Sequence, residues 1–160
     1  MLIEYSFKEL PLSDLEKAIV LIWEVFLEFE APDYDKNGIE EFRKFIAYNS
    51  LSEKLKNHEI SFFSCYDKDE LVGVIGYNVN GHIYLLFVDK HYHKQGIAKT
   101  LFNEVVSQSS GLSEAKEFTV NSSPYAHEIY KKMGFVDTDI EQTINGIRFY
   151  PMKYTCNKNL

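Results

Sequence analysis

A mixed α+β fold, with helices layered on a largely antiparallel sheet, is what this sequence of 160 residues predicts. Three observations lead there. Helix-period stretches fill the chain before residue 57, strand-like runs crowd in from residue 59, and one strand–helix–strand unit spans 82–121. A helical crossover returns the chain in the same direction, so that unit implies one parallel pair in the sheet. Strands and helices do not alternate throughout, which excludes a doubly wound nucleotide-binding fold.

Taken in order, residues 2–8 read as a first strand. Ser13 and Glu16 fit a capping box, and Leu15, Ile19, Ile22, Phe26 and Phe29 follow at helical spacing until Pro32. A second helix is expected over 37–48, with Ile39, Phe42, Phe45 and Ile46 inward, and a short third over 50–56. Then EISFFSCY, ELVGVIGYNV and HIYLLFV form an antiparallel meander, its second turn marked by Asn80-Gly81. A helix follows to about Gln108, stopped by Ser109-Ser110-Gly111. EFTVN at 117–121 is a short strand. Ser123 suits an N-cap, Pro124 a first helical position and Gly134 a C-terminal stop. Phe135–Ile144 and Ile147–Tyr154 close the chain as strands joined by Asn145-Gly146. No repeat or linker divides the chain, so one domain over 1–160 is expected.

Composition narrows the function. The formal net charge of −7 repels phosphate backbones and argues against nucleic acid as a partner. The apolar run AIVLIW is far shorter than the ~20 residues a membrane span needs. The N-terminus lacks a basic flank and cleavage site, and two cysteines, Cys65 and Cys156, make no disulfide framework or zinc pattern. A cytoplasmic protein without a bound metal is the expectation.

The segment HYHKQGIAKTLF, 91–102, lies where strand pattern gives way to helix pattern. The first turn of a helix carries unpaired backbone N–H groups and a partial positive charge. With Gly96 and Ala98 leaving room and Lys94 and Lys99 adding charge, residues 93–99 suit a phosphate, as they suit an ordinary helix-starting turn. Neither G-x-x-x-x-G-K-[ST] nor G-x-G-x-x-G is present, so nucleoside triphosphatases and dinucleotide oxidoreductases are poorly supported.

VDKHYHKQGIAKTLF followed by TVNSSPYAHEIYKKMGF resembles the GCN5-related N-acetyltransferase (GNAT) superfamily. That family's acyl-CoA loop reads [QR]-x-x-G-x-[GA]; here His93, Gly96 and Ala98 hold the first, fourth and sixth positions. His93 departs from the usual Gln or Arg, and VDKHY lacks a proline common there. The family's second segment has an Asn ending a strand and then a Tyr before a K-x-G-F-like helix end; here these are Asn121, Tyr130 and KKMGF, 131–135. The order of strands and helices also matches over nearly the whole chain.

The resemblance implies a splayed parallel strand pair and acetyl-CoA as cosubstrate. Its diphosphate would rest on the N–H groups of about Lys94–Lys99, that is Lys94, Gln95, Gly96, Ile97, Ala98 and Lys99, with His93 opening the cofactor-binding loop. Its pantetheine arm would lie along Leu86–Val88, with a backbone N–H near Phe87 or Val88 polarising the thioester carbonyl. Asn121 would pair with the pantetheine amides, and Tyr130 would protonate the departing thiolate. The implied activity is acetyl transfer to a primary amine by direct attack. The alternative is a non-catalytic acyl-CoA-binding or regulatory module. The acceptor, a small molecule or a peptide, is left open, and the C-terminal hairpin allows a homodimer. Glu24, Glu28, Glu30, Asp33, Asp35 and His91 are candidates for the base. Trp23, Phe26, Phe29, Tyr34, Phe42 and Phe45 are expected to be mostly core, with 26–35 the best stretch for the acceptor side.

Overall fold

A computed structural model describes residues 4–109 and 117–156. The sheet runs β1-β2-β3-β4-β5-β8-β6, with β7 paired to β8. Its strands are β1 (Ser6–Glu9), β2 (Ser61–Asp67), β3 (Glu70–Tyr77), β4 (His82–Val88), β5 (Glu117–Ser122), β6 (Val136–Asp137), β7 (Gln142–Ile144) and β8 (Ile147–Thr155). Every pairing is antiparallel except β4 with β5. The helices are α1 (Leu15–Val25), α2 (Lys36–Phe45), α3 (Tyr48–Lys56), α4 (Ile97–Ser109) and α5 (His127–Lys132). The expected mixed fold with one parallel pair is therefore present.

Two apolar clusters hold the layers together. Leu15, Ala18, Ile22 and Phe26 of the first helical segment pack with Ile46 and Leu51 against Phe62, Val74, Leu85 and Phe87 of the sheet. Ile97, Leu101 and Val105 of α4 pack with Tyr130 and Phe135 against Cys65, Ile75, Phe118 and Val120. The α1 stripe thus buries as its 3.6-residue period requires.

Local signals were overridden in several places. The capping box does not form: residues 12–14 make a 3₁₀ turn, and Asp14 precedes α1 without a capping side-chain bond. Tyr66 donates its hydroxyl to the Asp14 carboxylate, which occupies that group otherwise. Pro32 does not simply stop α1. The chain first widens into a π turn, Phe26–Glu30, and then tightens into a 3₁₀ turn, Ala31–Asp33, that accommodates the proline near its start. The second helix ends at Phe45 rather than 48, and the third begins at Tyr48.

Ser123 does accept the Ala126 N–H on its hydroxyl, at 3.2 Å, but its carbonyl takes the same N–H and closes a turn. Helix α5 therefore begins only at His127. The strand expected over 135–144 breaks into β6 and β7. Gly134 does stop α5, with φ of +105°. Asn145 and Gly146 both take positive φ, 53° and 80°, as a tight hairpin asks, whereas at Asn80-Gly81 only Gly81 does, at 87°. There the Asn78 side chain accepts from the N–H groups of Asn80 and His82. Helix α4 is described through Ser109; Ser110 and Gly111 of its expected stop lie outside the described residues.

Candidate active site

Strands β4 and β5 pair only at His82↔Thr119 and Ile83↔Val120. Beyond that point β5 stays with β8 through Asn121↔Pro151 and Ser122↔Tyr150, and among the described residues Leu85–Val88 have no strand on that side. The Asp89 N–H donates to the Val72 carbonyl at 2.8 Å, so Asp89 faces β3. Antiparallel alternation then turns the Phe87 backbone toward β3 and those of Leu86 and Val88 toward the gap. This corrects one expectation: the Phe87 amide belongs to the sheet, and its ring lies against Phe42 in the core. On the other lip, Thr119 N–H donates to the Gly81 carbonyl at 2.9 Å, so by the same alternation the Asn121 backbone also faces the gap. A parted pair thus leaves strand hydrogen-bonding groups on both lips.

The junction after β4 opens with a 3₁₀ turn, Lys90–Tyr92, capped by the Asp89 carboxylate on the His91 N–H. His93 is extended, Lys94 takes φ of +63° and Gly96 φ of +80°. A Cβ on Gly96 would meet nothing within 4 Å, so open space lies over the turn. The first α4 bond runs from Thr100 N–H to the Gly96 carbonyl at 3.0 Å. The N–H groups of Ile97, Ala98 and Lys99 therefore have no intrahelical acceptor. Lys94 and Lys99 are exposed beside them. Gln95 turns away, its side-chain oxygen accepting from the Tyr5 hydroxyl. His93 does not reach outward either: its Nε2 lies 2.7 Å from the Val88 carbonyl. A carbonyl only accepts, so Nε2 carries a proton and donates.

On α5, Tyr130 is 6% exposed, with its ring edge-on to Phe135 at 5.2 Å. Burial, and then the nearby Glu30, push its hydroxyl pKa well above the usual tyrosine range. The Phe29 ring bridges the two sides of the groove, 5.2 Å from the His93 ring and 5.0 Å from the Tyr125 ring. Glu30 follows it at the end of the π turn. Burial raises the Glu30 carboxyl to about 7, with the Ser123 hydroxyl acting in the opposite direction.

Four of the five other candidate bases have partners of their own. Glu28 pairs with Lys90 at 3.0 Å, and His91 lies 3.1 Å from Asp89. Asp35 caps α2 by accepting the Gly38 N–H, and Asp33 lies 3.6 Å from Arg148. Glu24 is exposed and lines a cleft of about 490 Å³ with Leu21, Glu28, Phe29, Asp89 and His91. Of the aromatics, Phe26 and Phe42 stack at 4.0 Å, Trp23 stacks on Phe26, and Tyr34 meets Phe26 edge-on. They build the core behind the site, as helical spacing implies, and Phe45 packs on Tyr84.

The β7–β8 hairpin closes over the first turn of α2. Asp35 N–H donates to the Gly146 carbonyl at 3.4 Å, and a Cβ on Gly38 would lie 2.2 Å from that same oxygen. A wider cleft of about 930 Å³ opens between α1 and the β2–β3 turn, lined by Glu16, Lys17 and residues 67–71. It shares no lining residue with the gap. Among the described residues no group of three or more His, Cys, Asp or Glu is placed to hold a metal, and no helix is long and apolar enough to cross a membrane.

Sequence reasoning placed Leu86 on the strand edge beside the pantetheine arm but missed Ser123 and Tyr125 as parts of this region. The Ser123-Pro124 pair reads locally as a helix start and carries no sign of what its hydroxyl meets.

A mixed sheet parted at its one parallel pair, with helices on both faces, defines the acyl-CoA N-acyltransferase fold. Residues 30–156 match the acetyltransferase (GNAT) domain family, and the chain belongs to that family. No curated protein matches the sequence. Solved structures share the fold. A GCN5-related N-acetyltransferase from Rhodopseudomonas palustris superposes with a TM-score of 0.79 at 19% identity, over 97% of this chain and 98% of that one. The PaiA N-acetyltransferase of Thermoplasma acidophilum, in complex with coenzyme A, gives 0.76 at 21% identity, over 95% and 99%. NAA60 of Arabidopsis thaliana, in complex with a bisubstrate analogue, gives 0.65 at 23% identity, over 96% and 99%.

Proposed function

We propose that residues 1–160 act as one catalytic domain that transfers acetyl from acetyl-CoA to a primary amine by direct attack. The observation that carries this reading is the conjunction of the parted β4–β5 pair with the amide-bearing start of α4. The residues fit the cosubstrate: Gly96 is open to approach, and the N–H groups of Ile97, Ala98 and Lys99 have no intrahelical partner. Lys94 and Lys99 would add charge around a diphosphate held there.

Acetyl-CoA supplies an activated acyl group as a thioester. Leu86 and Val88 on one lip and Asn121 on the other would hold its pantetheine arm as an added strand. The Val88 N–H, rather than that of Phe87, is the donor for the thioester oxygen. Because His93 holds the Val88 carbonyl, the arm must pair first at Leu86 or displace the imidazole. Tyr130 would donate to the departing sulfur. Its raised pKa keeps it protonated throughout the working range. Burial raises the pKa of an enclosed thiol too, so donor and acceptor move together.

The acceptor is an amine, small or peptidic. Among the structures sharing the fold are a spermidine N-acetyltransferase chimera from Vibrio cholerae and hSSAT, and the NAA60 complex. These relatives motivate testing both classes of amine.

A second reading, a non-catalytic acyl-CoA-binding module, is favoured by one observation: His93 occupies a carbonyl that the cosubstrate would use. Calorimetry with acetyl-CoA and a thiol-release assay over polyamines, amino acids and short peptides tests both. Binding with release supports transfer, binding without release supports the module, and no binding at millimolar ligand ends both.

A further inference from the structure

The turn that leads into α4 has little backbone support of its own. Among the described residues, the N–H groups of Lys94, Gln95 and Gly96 make no backbone hydrogen bond. Lys94 and Gly96 both take left-handed φ, and Lys94 does so without a glycine's freedom. The bond just before the turn, from the His93 N–H to the Lys90 carbonyl, is long at 3.4 Å. Side chains must therefore hold the shape.

Two struts reach the turn from the first strands. Tyr92 donates its hydroxyl to the carboxylate of Asp67, the last residue of β2, at 2.7 Å. Tyr5, just ahead of β1, meets the Tyr92 ring edge-on at 6.0 Å and donates its hydroxyl to the side-chain oxygen of Gln95. Both rings pack on the apolar cluster beneath α4, with Phe7 and Val88 beside them. A Cβ on Gly73 would come within 3.1 Å of Ile97, so the first turn of α4 rests directly on β3. These supports lie on the β1–β3 side of β4, whereas the gap lies between β4 and β5. They can stay in place while a pantetheine arm enters. His93 cannot serve in the same way, because it is bonded to the Val88 carbonyl on the gap itself.

We propose that Tyr92 and Tyr5 are positioning residues that hold the 94–99 turn ready for the cosubstrate's diphosphate, with Asp67 as the anchor of Tyr92. This rests on the acetyl-transfer reading and adds to it residues that act through the turn. A turn without these struts would have to be ordered as the diphosphate binds, and ordering a loop on binding subtracts from affinity. Asp67 carries the wrong charge to attract an anion, so its contribution is the bond to Tyr92 and not its field. Neither tyrosine hydroxyl is called on in acetyl transfer, so removing one should act on binding and leave the chemical step alone.

The test compares wild type with Tyr92→Phe, Tyr5→Phe, Asp67→Ala and the Tyr92→Phe/Asp67→Ala double variant. Tyr66→Phe is the control, since it removes another tyrosine–carboxylate bond of β2, to Asp14 rather than to the turn. Two probes are titrated: acetyl-CoA by calorimetry, and S-acetylpantetheine, which keeps the thioester and arm but lacks the diphosphate, by ¹⁵N NMR. Tyr92→Phe should weaken acetyl-CoA about tenfold and S-acetylpantetheine by less than about twofold. Tyr5→Phe should show a smaller loss with the same selectivity. In the Asp67→Ala background, Tyr92→Phe should have no further effect, because the bond is already gone. Tyr66→Phe should leave acetyl-CoA affinity within about twofold. Should Tyr92→Phe fail to fold, the selective loss in Tyr5→Phe decides. Wild-type acetyl-CoA affinity in the tyrosine variants, equal losses for both probes, or a Tyr92→Phe effect undiminished without Asp67 would overturn the assignment, while wild-type binding of acetyl-CoA keeps the transfer reading intact. Absence of acetyl-CoA binding by the wild type itself would overturn that reading and this one together.

Discussion

Replacing Gly38 with alanine sets two physical effects against each other. Gly38 lies within α2, where alanine is favoured over glycine by about 1 kcal/mol in a helix interior. Propensity alone therefore predicts a more stable protein. The structure predicts the opposite, because the added Cβ would sit 2.2 Å from the Gly146 carbonyl oxygen and 2.6 Å from its carbon. Both are backbone atoms, so no side-chain rotation relieves the contact, and the β7–β8 hairpin must retreat by about 1 Å. Overpacking of this kind costs roughly 1–3 kcal/mol. The retreat also lengthens the Asp35 N–H bond to Gly146, already 3.4 Å, which removes about 1 kcal/mol more. Against the helix gain, a net loss of about 2 kcal/mol remains. For a chain of this size that lowers the melting temperature by roughly 4–8 °C. Asn37→Ala, at an exposed position of the same helix, is the control and should change stability by no more than about 0.5 kcal/mol. Calorimetric melting of the three proteins, with hydrogen exchange at residues 143–148, reads the effect. An unchanged or raised melting temperature in Gly38→Ala would refute the docking of the hairpin on α2.

Three further outcomes are expected. Tyr130→Phe should lower turnover by about 100-fold or more while acetyl-CoA affinity changes by less than about threefold; single-turnover kinetics with calorimetry separate the two, and equal turnover removes Tyr130 from the chemistry. Gly96→Ala places a methyl where the chain itself leaves space, so folding should suffer only the left-handed cost of about 1 kcal/mol, whereas acetyl-CoA binding should weaken about tenfold or more. Unaltered affinity in that variant would move the diphosphate elsewhere. The Glu30 carboxyl has a folded pKa raised to about 7 from an unfolded value near 4.5, so the folded state binds more protons between those limits and loses stability as pH rises through them. Glu30→Gln should therefore be more stable than wild type by about 3 kcal/mol at pH 8 and equal to it at pH 4.5, measured by urea unfolding.

Much of the fold was legible because its local signals are short-ranged. Asn145-Gly146 gives a hairpin because both positions need and take positive φ. Gly96 marks the strand-to-helix junction for the same reason, and the apolar stripes of α1 and α4 follow the helix period. What was not legible depends on distant partners. Ser13 and Glu16 read as a capping box, but Asp14 is held by Tyr66, fifty-two residues away. Choosing Val88 over Phe87 as the gap-facing amide needs the strand parity, which one bond from Asp89 to Val72 sets. The π turn at 26–30 has no local signature, since packing of Phe26 against the sheet decides it. Six acidic or imidazole side chains near the first helix and the junction were equivalent in sequence. Ion pairs and a helix cap occupy Glu28, Asp33, Asp35 and His91, Glu24 is exposed, and burial acts on the Glu30 carboxyl.

Backbone amide shifts recorded by ¹⁵N NMR during titration with acetyl-CoA test the central claim most directly. The largest changes should fall on Gly96, Ile97, Ala98 and Lys99, with a second group at Leu86, Val88 and Asn121 along the gap. Changes confined to the acidic cleft near Lys17 and Glu70, or none at millimolar acetyl-CoA, would contradict it.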